Sequence, residues 1–229
     1  MASWNSDEEL FELIESELFV AVIGDILDDL GYRHQFLPPY IQPLRADMRV
    51  LGRAMTVFTA DYPGGVMDGQ TEWSRMPFGL LFRALDDLKP GEVYVCAGGS
   101  PEYATWGEIM TTRARYLGAR GAVLDGYSRD TDGVLQQNFP TFSRGCYAQD
   151  SGARSRVLDF RIPIEIGQVS VSSGDLIIGD RDGVLVVPRQ LEDEALSLAL
   201  EKARTENLVQ AAIEKGMSAE EAFKTYGVL

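Results

Sequence analysis

Three charged residues form the pattern in this sequence that is best suited to chemistry: Glu108, Arg129 and Asp130. Twenty residues separate Glu108 from Arg129, and the Arg-Asp pair begins four residues after the end of the strand-like run 121–125. An arginine offers a cation to a carboxylate or a developing enolate, and an aspartate oxygen is a ligand that hard cations prefer. An Arg-Asp pair can equally do no more than stabilise a turn, so the pair alone leaves both interpretations open.

A glycine-rich segment, 96–110, precedes and includes Glu108. The pattern is that of a strand, a turn with Gly98 and Gly99, and then a helix. Backbone N–H groups at the start of a helix suit a carboxylate or a phosphate, although most such turns bind nothing. Because loops after neighbouring parallel strands lie side by side, we expect Glu108 to lie near Arg129 and Asp130.

The small numbers of histidines and cysteines limit the kinds of catalytic and metal site that the chain can form. The chain has one histidine, His34, and two cysteines, Cys96 and Cys146, so histidine triads, multi-histidine metal sites and thiolate zinc sites are not expected. We predict that both thiols are buried. A metal would be held mainly by oxygen, which favours Mg²⁺ or Mn²⁺.

Charge and hydropathy suggest which partners to exclude. A formal net charge of −14 over 229 residues disfavours nucleic acid and anionic lipid as partners. The N-terminus lacks the basic and apolar pattern of a signal peptide, and no apolar run approaches the roughly 20 residues of a membrane span. We therefore expect a cytoplasmic protein with no membrane or nucleic-acid partner.

The hydrophobic pattern predicts an α/β protein with helices at both ends. A first helix is expected after Ser6, with its apolar stripe at 10–14, and further helices at about 19–30, 78–88, 106–117 and 190–215 and after Ser218. Strands are expected at 48–58, 92–97, 121–125, 141–143, 157–166, 176–178 and 184–187. Asp182-Gly183 predicts a type I′ hairpin. We expect one domain, 1–229, with its core at about 20–190 and a C-terminal helical arm, 190–229, that contacts a neighbouring subunit.

The spacing of the three charged residues resembles the acidic-x20-Arg-Asp signature of the class II pyruvate aldolases of the RraA-like family. This family includes 4-hydroxy-4-methyl-2-oxoglutarate and 4-carboxy-4-hydroxy-2-oxoadipate aldolases and the regulator of ribonuclease E activity. The likeness also covers segments 22–31, 50–57, 104–108, 121–126 and 173–188. It implies a swivelling β/β/α fold like that of phosphohistidine domains, in homotrimers or homohexamers with active sites at subunit interfaces.

The resemblance further implies a metal-dependent retro-aldol cleavage of a 4-hydroxy-2-oxo acid to pyruvate, with oxaloacetate decarboxylation as a side activity. Asp130 would bind Mg²⁺ or Mn²⁺ directly, Glu108 would act through metal-bound water, and Arg129 would stabilise the enolate. Glu206 would reach the metal's waters from a neighbouring subunit. The backbone of a five-residue loop would hold the substrate carboxylate: Gly99, Ser100, Pro101, Glu102 and Tyr103.

Two departures leave the substrate open. The family's usual acidic residue is aspartate, where this chain has Glu108, and its ending, 218–229, differs from that of the characterised aldolases. Tyr127, Asp132 and Arg144 are candidates for contacting the distal part of the substrate, or are solvated loop residues. The alternative function is a non-catalytic, protein-binding regulator like that of ribonuclease E.

Overall fold

The structure is a computed structural model that describes residues 4–62 and 76–228. Within these ranges the chain forms two compact units, one from residues 34–189 and one from the described parts of 1–33 and 190–229. The predicted α/β class with helices at both chain ends is confirmed. The prediction of a single domain over 1–229 stays a prediction.

The helices are, in chain order, α1 Asp7–Glu17, α2 Val20–Asp29, α3 Leu81–Asp86, α4 Glu108–Tyr116, α5 Thr131–Gln136, α6 Glu192–Glu214 and α7 Ala219–Tyr226, with a 3₁₀ turn at Arg189–Leu191. The strands are β1 Gln42–Pro43, β2 Val50–Asp61, β3 Glu92–Ala97, β4 Ala104–Trp106, β5 Gly121–Leu124, β6 Tyr127–Ser128, β7 Thr141–Ser143, β8 Ser155–Phe160, β9 Ile164–Ile166, β10 Val169–Val171, β11 Leu176–Asp180 and β12 Gly183–Val187.

An eight-stranded mixed sheet dominates the unit 34–189. Its order is β1-β7-β5-β3-β2-β11-β12, with β8 also paired to β2. Strands β2, β3, β5 and β7 run parallel to one another, as the alternation of strand and helix patterns predicts. Their carboxyl ends therefore lie at one edge of the sheet, where the loops after β2, β3, β5 and β7 emerge.

Alternate residues of the central strands pack into two different apolar clusters. In β3, Val93 and Val95 join one cluster whereas Tyr94 and Cys96 join the other, and β2 and β5 divide in the same way. Both faces of these strands are buried, which is why they read as nearly continuous apolar runs. The apolar clusters fix the register of the parallel strands, because a slip of one residue would exchange the two faces.

The unit formed by the chain ends consists of helices. Helix α6 packs against α2, and Arg204 of α6 binds the carboxylate of Glu17 through two hydrogen bonds of 2.7 and 2.8 Å. Ser6 and Ser218 cap α1 and α7 by accepting the N–H groups of Glu9 and Glu221, as their spacing predicts. No helix in the described ranges is long and apolar enough to cross a membrane.

Several local predictions need correction. The strand predicted at 157–166 is two strands, β8 and β9, because Arg161 adopts a left-handed conformation with φ 58°. The hairpin β11–β12 forms, but Arg181 and Asp182 occupy its turn without positive φ, so the turn is not type I′. Cys96 is buried as expected, whereas Cys146 is exposed.

Arg161 also links Glu92, at the start of β3, to Asp87, which follows helix α3. Its guanidinium donates to both carboxylate oxygens of Glu92, at 2.7 and 3.0 Å, and to the carboxylate and carbonyl of Asp87. These two carboxylates raise the pKa of Arg161. The side chain of Glu92 is only 13% exposed, and the guanidinium of Arg161 compensates the burial of its carboxylate.

We predict that Arg161→Gln lowers the free energy of unfolding by about 1–3 kcal/mol, because it leaves Glu92 and Asp87 without their cation. The midpoint of urea unfolding measures the effect. The matched control is Lys224→Gln, which removes the exposed ion pair with Glu220 and should change stability by about 0.5 kcal/mol or less. Equal losses in the two variants would contradict the assigned role of Arg161.

Candidate functional site

The three charged residues of the sequence pattern lie at the ends of a small two-stranded sheet. Strand β4 pairs in parallel with β6, and the N–H of Arg129 donates to the carbonyl of Trp106 at 3.0 Å. Glu108 begins α4 two residues after β4, and Asp130 follows β6 by two residues. The pairing of β4 with β6 thus brings Glu108, Arg129 and Asp130 together, although neither strand was predicted.

Two glycines make this approach close. A Cβ atom on Gly107 would lie 2.9 Å from Oδ2 of Asp130, and one on Gly133 would lie 2.5 Å from Oε2 of Glu108. Both positions therefore admit no side chain without displacing a carboxylate. Asp130 itself has φ 52°, a left-handed conformation that aspartate tolerates better than most residues. Such strained residues cluster at functional sites.

Arg129 is held by two carboxylates and remains partly exposed. Its Nη1 lies 3.0 Å from Oδ1 of Asp150, and its Nε lies 3.7 Å from Oδ2 of Asp130. The side chain of Arg129 is 38% exposed, so part of the guanidinium can reach a ligand. Sequence reasoning missed Asp150. Its place near Arg129 could have been inferred, because Asp150 lies in the loop after β7, and the carboxyl end of β7 neighbours that of β5.

The helix that begins at Glu108 receives no capping hydrogen bond from the side chain of its N-cap residue. Gly107 is its N-cap and provides no side chain to accept the N–H groups of the first turn. Asp130 is the N-cap of α5, but its carboxylate makes no capping hydrogen bond and its side chain is 49% exposed. The site therefore offers a positive helix end, a partly exposed guanidinium and a carboxylate available to a ligand.

The donors suit a metal held by few protein ligands. Within the described residues no group of three or more His, Cys, Asp and Glu side chains could hold an ion. Mg²⁺ is usually bound through one or two carboxylates, with water and substrate completing the octahedron. Asp130, with Glu108 nearby and exposed, fits that mode but not a cage built by the protein alone.

The glycine-rich loop after β3 binds a carboxylate from another part of the same chain, that of Asp61. Oδ1 of Asp61, at the end of β2, accepts the N–H of Ser100 at 2.9 Å and the hydroxyl of Tyr103 at 2.7 Å. These two hydrogen bonds lower the pKa of Asp61. The buried Tyr103 has a raised pKa, mainly because burial disfavours its anion. Sequence reasoning missed Asp61. Its two hydrogen bonds show that this loop can bind a carboxylate.

The rest of the predicted carboxylate loop is arranged around this contact. Gly98 has φ 105° and lies against the backbone of Thr59, and Gly99 packs on the hydroxyl of Tyr103, so neither position has room for a side chain. Pro101 and Glu102 are exposed. The loop is therefore fixed at its two ends and open to solvent in its middle.

A cavity of about 430 Å³ opens beside the loop. Its lining residues are Pro101, Glu102, Tyr127, Cys146, Tyr147, Gln149 and Arg154. The rings of Tyr127 and Tyr147 pack edge to face, with centroids 5.6 Å apart. Tyr127 lines this cavity, whereas Asp132 is exposed on α5 and is not part of the lining. The predicted contact of Tyr127 with a substrate stays a prediction.

Two other candidate residues have partners elsewhere. Arg144 donates to Asp125 at 2.9 Å and stacks over the ring of Tyr40, with 3.8 Å from its guanidinium carbon to the ring centroid. Glu206 lies on α6 with Oε1 3.9 Å from the ammonium of Lys202. The predicted contact of Glu206 with a neighbouring subunit stays a prediction.

Comparison with known proteins finds a family model that matches most of the chain. The model of the RraA-like family, described as Aldolase/RraA, matches residues 20–186. A protein of Halalkalibacterium halodurans named "Putative 4-hydroxy-4-methyl-2-oxoglutarate aldolase" is 32% identical over 202 residues, which is 88% of this chain and 87% of that protein.

Solved structures agree in fold. An uncharacterized protein of Pseudomonas syringae pv. tomato superposes with a TM-score of 0.82 at 30% identity, over 99% of this chain and 98% of the other. Streptomyces coelicolor RraAS2, described as an unusual member of the RNase ES inhibitor RraA family, superposes with a TM-score of 0.76 at 23% identity, over 92% and 99% of the two chains. These matches confirm the predicted fold.

We predict that Asp61→Asn destabilises the protein at pH 7 by about 1 kcal/mol, and less at pH 3. The folded-state pKa of Asp61 is lowered, so its contribution is present above the unfolded pKa of about 3.9 and is lost as pH falls through the lower folded value. Urea midpoints at both pH values measure the difference.

Tyr103→Phe is the matched variant for this prediction. It removes the hydroxyl that donates to the same oxygen of Asp61, so it should reproduce part of the loss at pH 7 and add little to Asp61→Asn. A loss in Asp61→Asn that is the same at pH 7 and pH 3 would show that the charge of Asp61 does not stabilise the loop.

Proposed function

Because the chain belongs to the RraA-like family, Aldolase/RraA, we propose that it is a divalent-metal-dependent lyase that cleaves a 4-hydroxy-2-oxo acid to pyruvate. The observation that carries this proposal is the convergence of Arg129, Asp130 and Glu108 around Gly107 and Gly133. The name of the similar H. halodurans protein supports the same reaction class. Oxaloacetate decarboxylation is the proposed side activity, since it also passes through a pyruvate enolate.

The proposed cofactor is Mg²⁺ or Mn²⁺, which Asp130 would hold directly and Glu108 through water. Such an ion would supply a Lewis acid for the substrate's keto group. Asp130 is suited to hold it because its carboxylate is exposed and is not used as a helix cap. A contribution from Glu206 of a neighbouring copy, in a homotrimer or homohexamer, belongs to the same proposal.

The protein's own groups account for the charge and proton changes of the cleavage. The C3–C4 bond breaks as the C4 hydroxyl loses its proton, which leaves a carbonyl on one product and the enolate of pyruvate on the other. We assign Glu108 to hold that proton and return it to C3. Arg129 stabilises the enolate, since Asp150 fixes its guanidinium while part of it stays exposed.

The loop Gly99, Ser100, Pro101, Glu102 and Tyr103 is proposed to bind the substrate carboxylate through its backbone. The N–H of Ser100 already binds the carboxylate of Asp61, so this donor has the required chemistry but is occupied. Because Pro101 has no N–H, the substrate would use other backbone N–H groups of the loop, with Arg129 as counter-ion. Asp61 then acts as the brace that holds the loop in place.

The 430 Å³ cavity is proposed to hold the distal part of the substrate. Arg154 is the cation of its lining, and it donates from Nη1 to the carbonyl of Asp150 at 3.0 Å. Asp150 therefore anchors two guanidinium groups, those of Arg129 and Arg154. Two cations fixed to one residue suit a dicarboxylate substrate, with one carboxylate for each.

The first test is pyruvate release from 4-hydroxy-4-methyl-2-oxoglutarate and from oxaloacetate, with Mg²⁺ and with chelator. We expect metal-dependent turnover, and a fall in kcat/KM of about 100-fold or more in Asp130→Asn. Asp182→Asn, in the exposed turn of the β11–β12 hairpin, is the control and should retain activity. Turnover that persists in chelator would refute the mechanism.

The alternative function, a non-catalytic protein-binding regulator, can be tested with the same purified protein. Its basis is the likeness in fold to RraAS2, which at 23% identity concerns the fold alone. A protein that shows no lyase turnover on any 2-oxo acid and captures a ribonuclease in stoichiometric amount would support this alternative.

The distal cavity has its own prediction. Arg154→Gln should raise KM for 4-hydroxy-4-methyl-2-oxoglutarate by about tenfold, because it removes one charged hydrogen bond to the distal carboxylate. Exchange of the pyruvate methyl protons with D₂O, followed by NMR, should be unchanged, because pyruvate has no distal group. Loss of both activities would mean that Arg154 supports the site as a whole.

A further inference from the structure

A second, smaller cavity is lined by residues of β2, β3, β4 and β8. Its volume is about 20 Å³, and its polar lining includes Tyr94, Cys96, Thr105, Ser151 and Ser155. None of these residues belongs to the metal and substrate groups assigned above. The cavity joins β3 of the main sheet to β4, and these two strands are not paired with each other.

Two hydroxyl groups of this lining have no hydrogen-bond partner in the described part of the chain. They are the hydroxyl of Tyr94, whose side chain is fully buried, and Oγ1 of Thr105. Buried hydroxyls are rarely left without a partner, because desolvation without a compensating hydrogen bond is unfavourable. Both groups belong to the lining of the same cavity, so one bound molecule could satisfy them together.

The size of the cavity limits what that molecule can be. A water needs a cavity of about 10–15 Å³ and two to four polar partners. The observed 20 Å³ accommodates one water and is too small for an organic ligand or a hydrated ion. We propose that the cavity binds a single ordered water, which bridges the hydroxyl groups of Tyr94 and Thr105.

The water would connect the main sheet to the strand that positions Glu108. Thr105 is the middle residue of β4, and Glu108 begins α4 three residues later. Ser155, also in the lining, hydrogen-bonds the hydroxyl of Tyr103, which in turn donates to Asp61. The lining therefore includes a residue of β4 and a residue that contacts the braced loop.

The dry alternative makes the opposite prediction for stability. If the cavity holds no water, the two hydroxyls are unsatisfied, and replacing one by a methyl group of the same shape is neutral or stabilising. If a water bridges them, the same replacement removes one of its partners and destabilises the protein. The sign of the change in Tm therefore separates the two cases.

The experiment compares Thr105→Val, Tyr94→Phe and the double variant by thermal unfolding, with Thr105→Ser as the matched control that keeps the hydroxyl. We expect Thr105→Val to lower Tm by about 2–4 °C relative to Thr105→Ser. The double variant should lose little more than the larger single change, because both remove the same water. Unchanged or raised Tm values that add independently would overturn the proposal.

A high-resolution crystal structure of the unmodified protein is the second measurement, and it does not depend on the folding of any variant. We expect one density peak within hydrogen-bonding distance of the Tyr94 hydroxyl and of Thr105 Oγ1. An empty cavity, or a direct hydrogen bond between the two side chains, would overturn the proposal. Neither measurement relies on the lyase activity, so the water site stands or falls separately from the proposed reaction.

Discussion

The burial of β2, β3 and β5 on both faces is the constraint on which the site depends. Because each face packs into its own apolar cluster, these strands are held parallel and in one register. Their carboxyl ends then emerge at one edge, which brings together the Asp61 carboxylate, the loop after Gly98 and the Arg129-Asp130 pair. Apolar packing thus determines where the polar groups of the site lie.

The second layer of organisation is local and steric. Strands β4 and β6 are too short to be stable alone, and they are held by pairing with each other and by bridges from Ala104 to Asp150 and from Ser128 to Cys146. Gly107 and Gly133 then let two carboxylates approach the backbone, and Asp130 accepts a left-handed conformation. This conformational strain is tolerated because the packing on both sides leaves no alternative path for the chain.

Electrostatic pairing keeps two arginines of this acidic protein in fixed places. Arg129 is shared by Asp130 and Asp150, and Arg161 by Asp87 and Glu92. The Arg161 cluster is more buried and serves the scaffold, whereas Arg129 keeps exposed N–H groups for a ligand. The difference in exposure separates a structural arginine from one available for chemistry.

The sequence by itself determined the α/β class, the long strands, the terminal helices with their serine caps, and the triad Glu108, Arg129 and Asp130. These features follow from local signals, namely periodicity, capping and the loops at strand ends. Only the tertiary structure decided the short strands β4 and β6, the break at Arg161, and the partners Asp61 and Asp150. Those features depend on pairing between residues distant in sequence, whose energies no local pattern encodes.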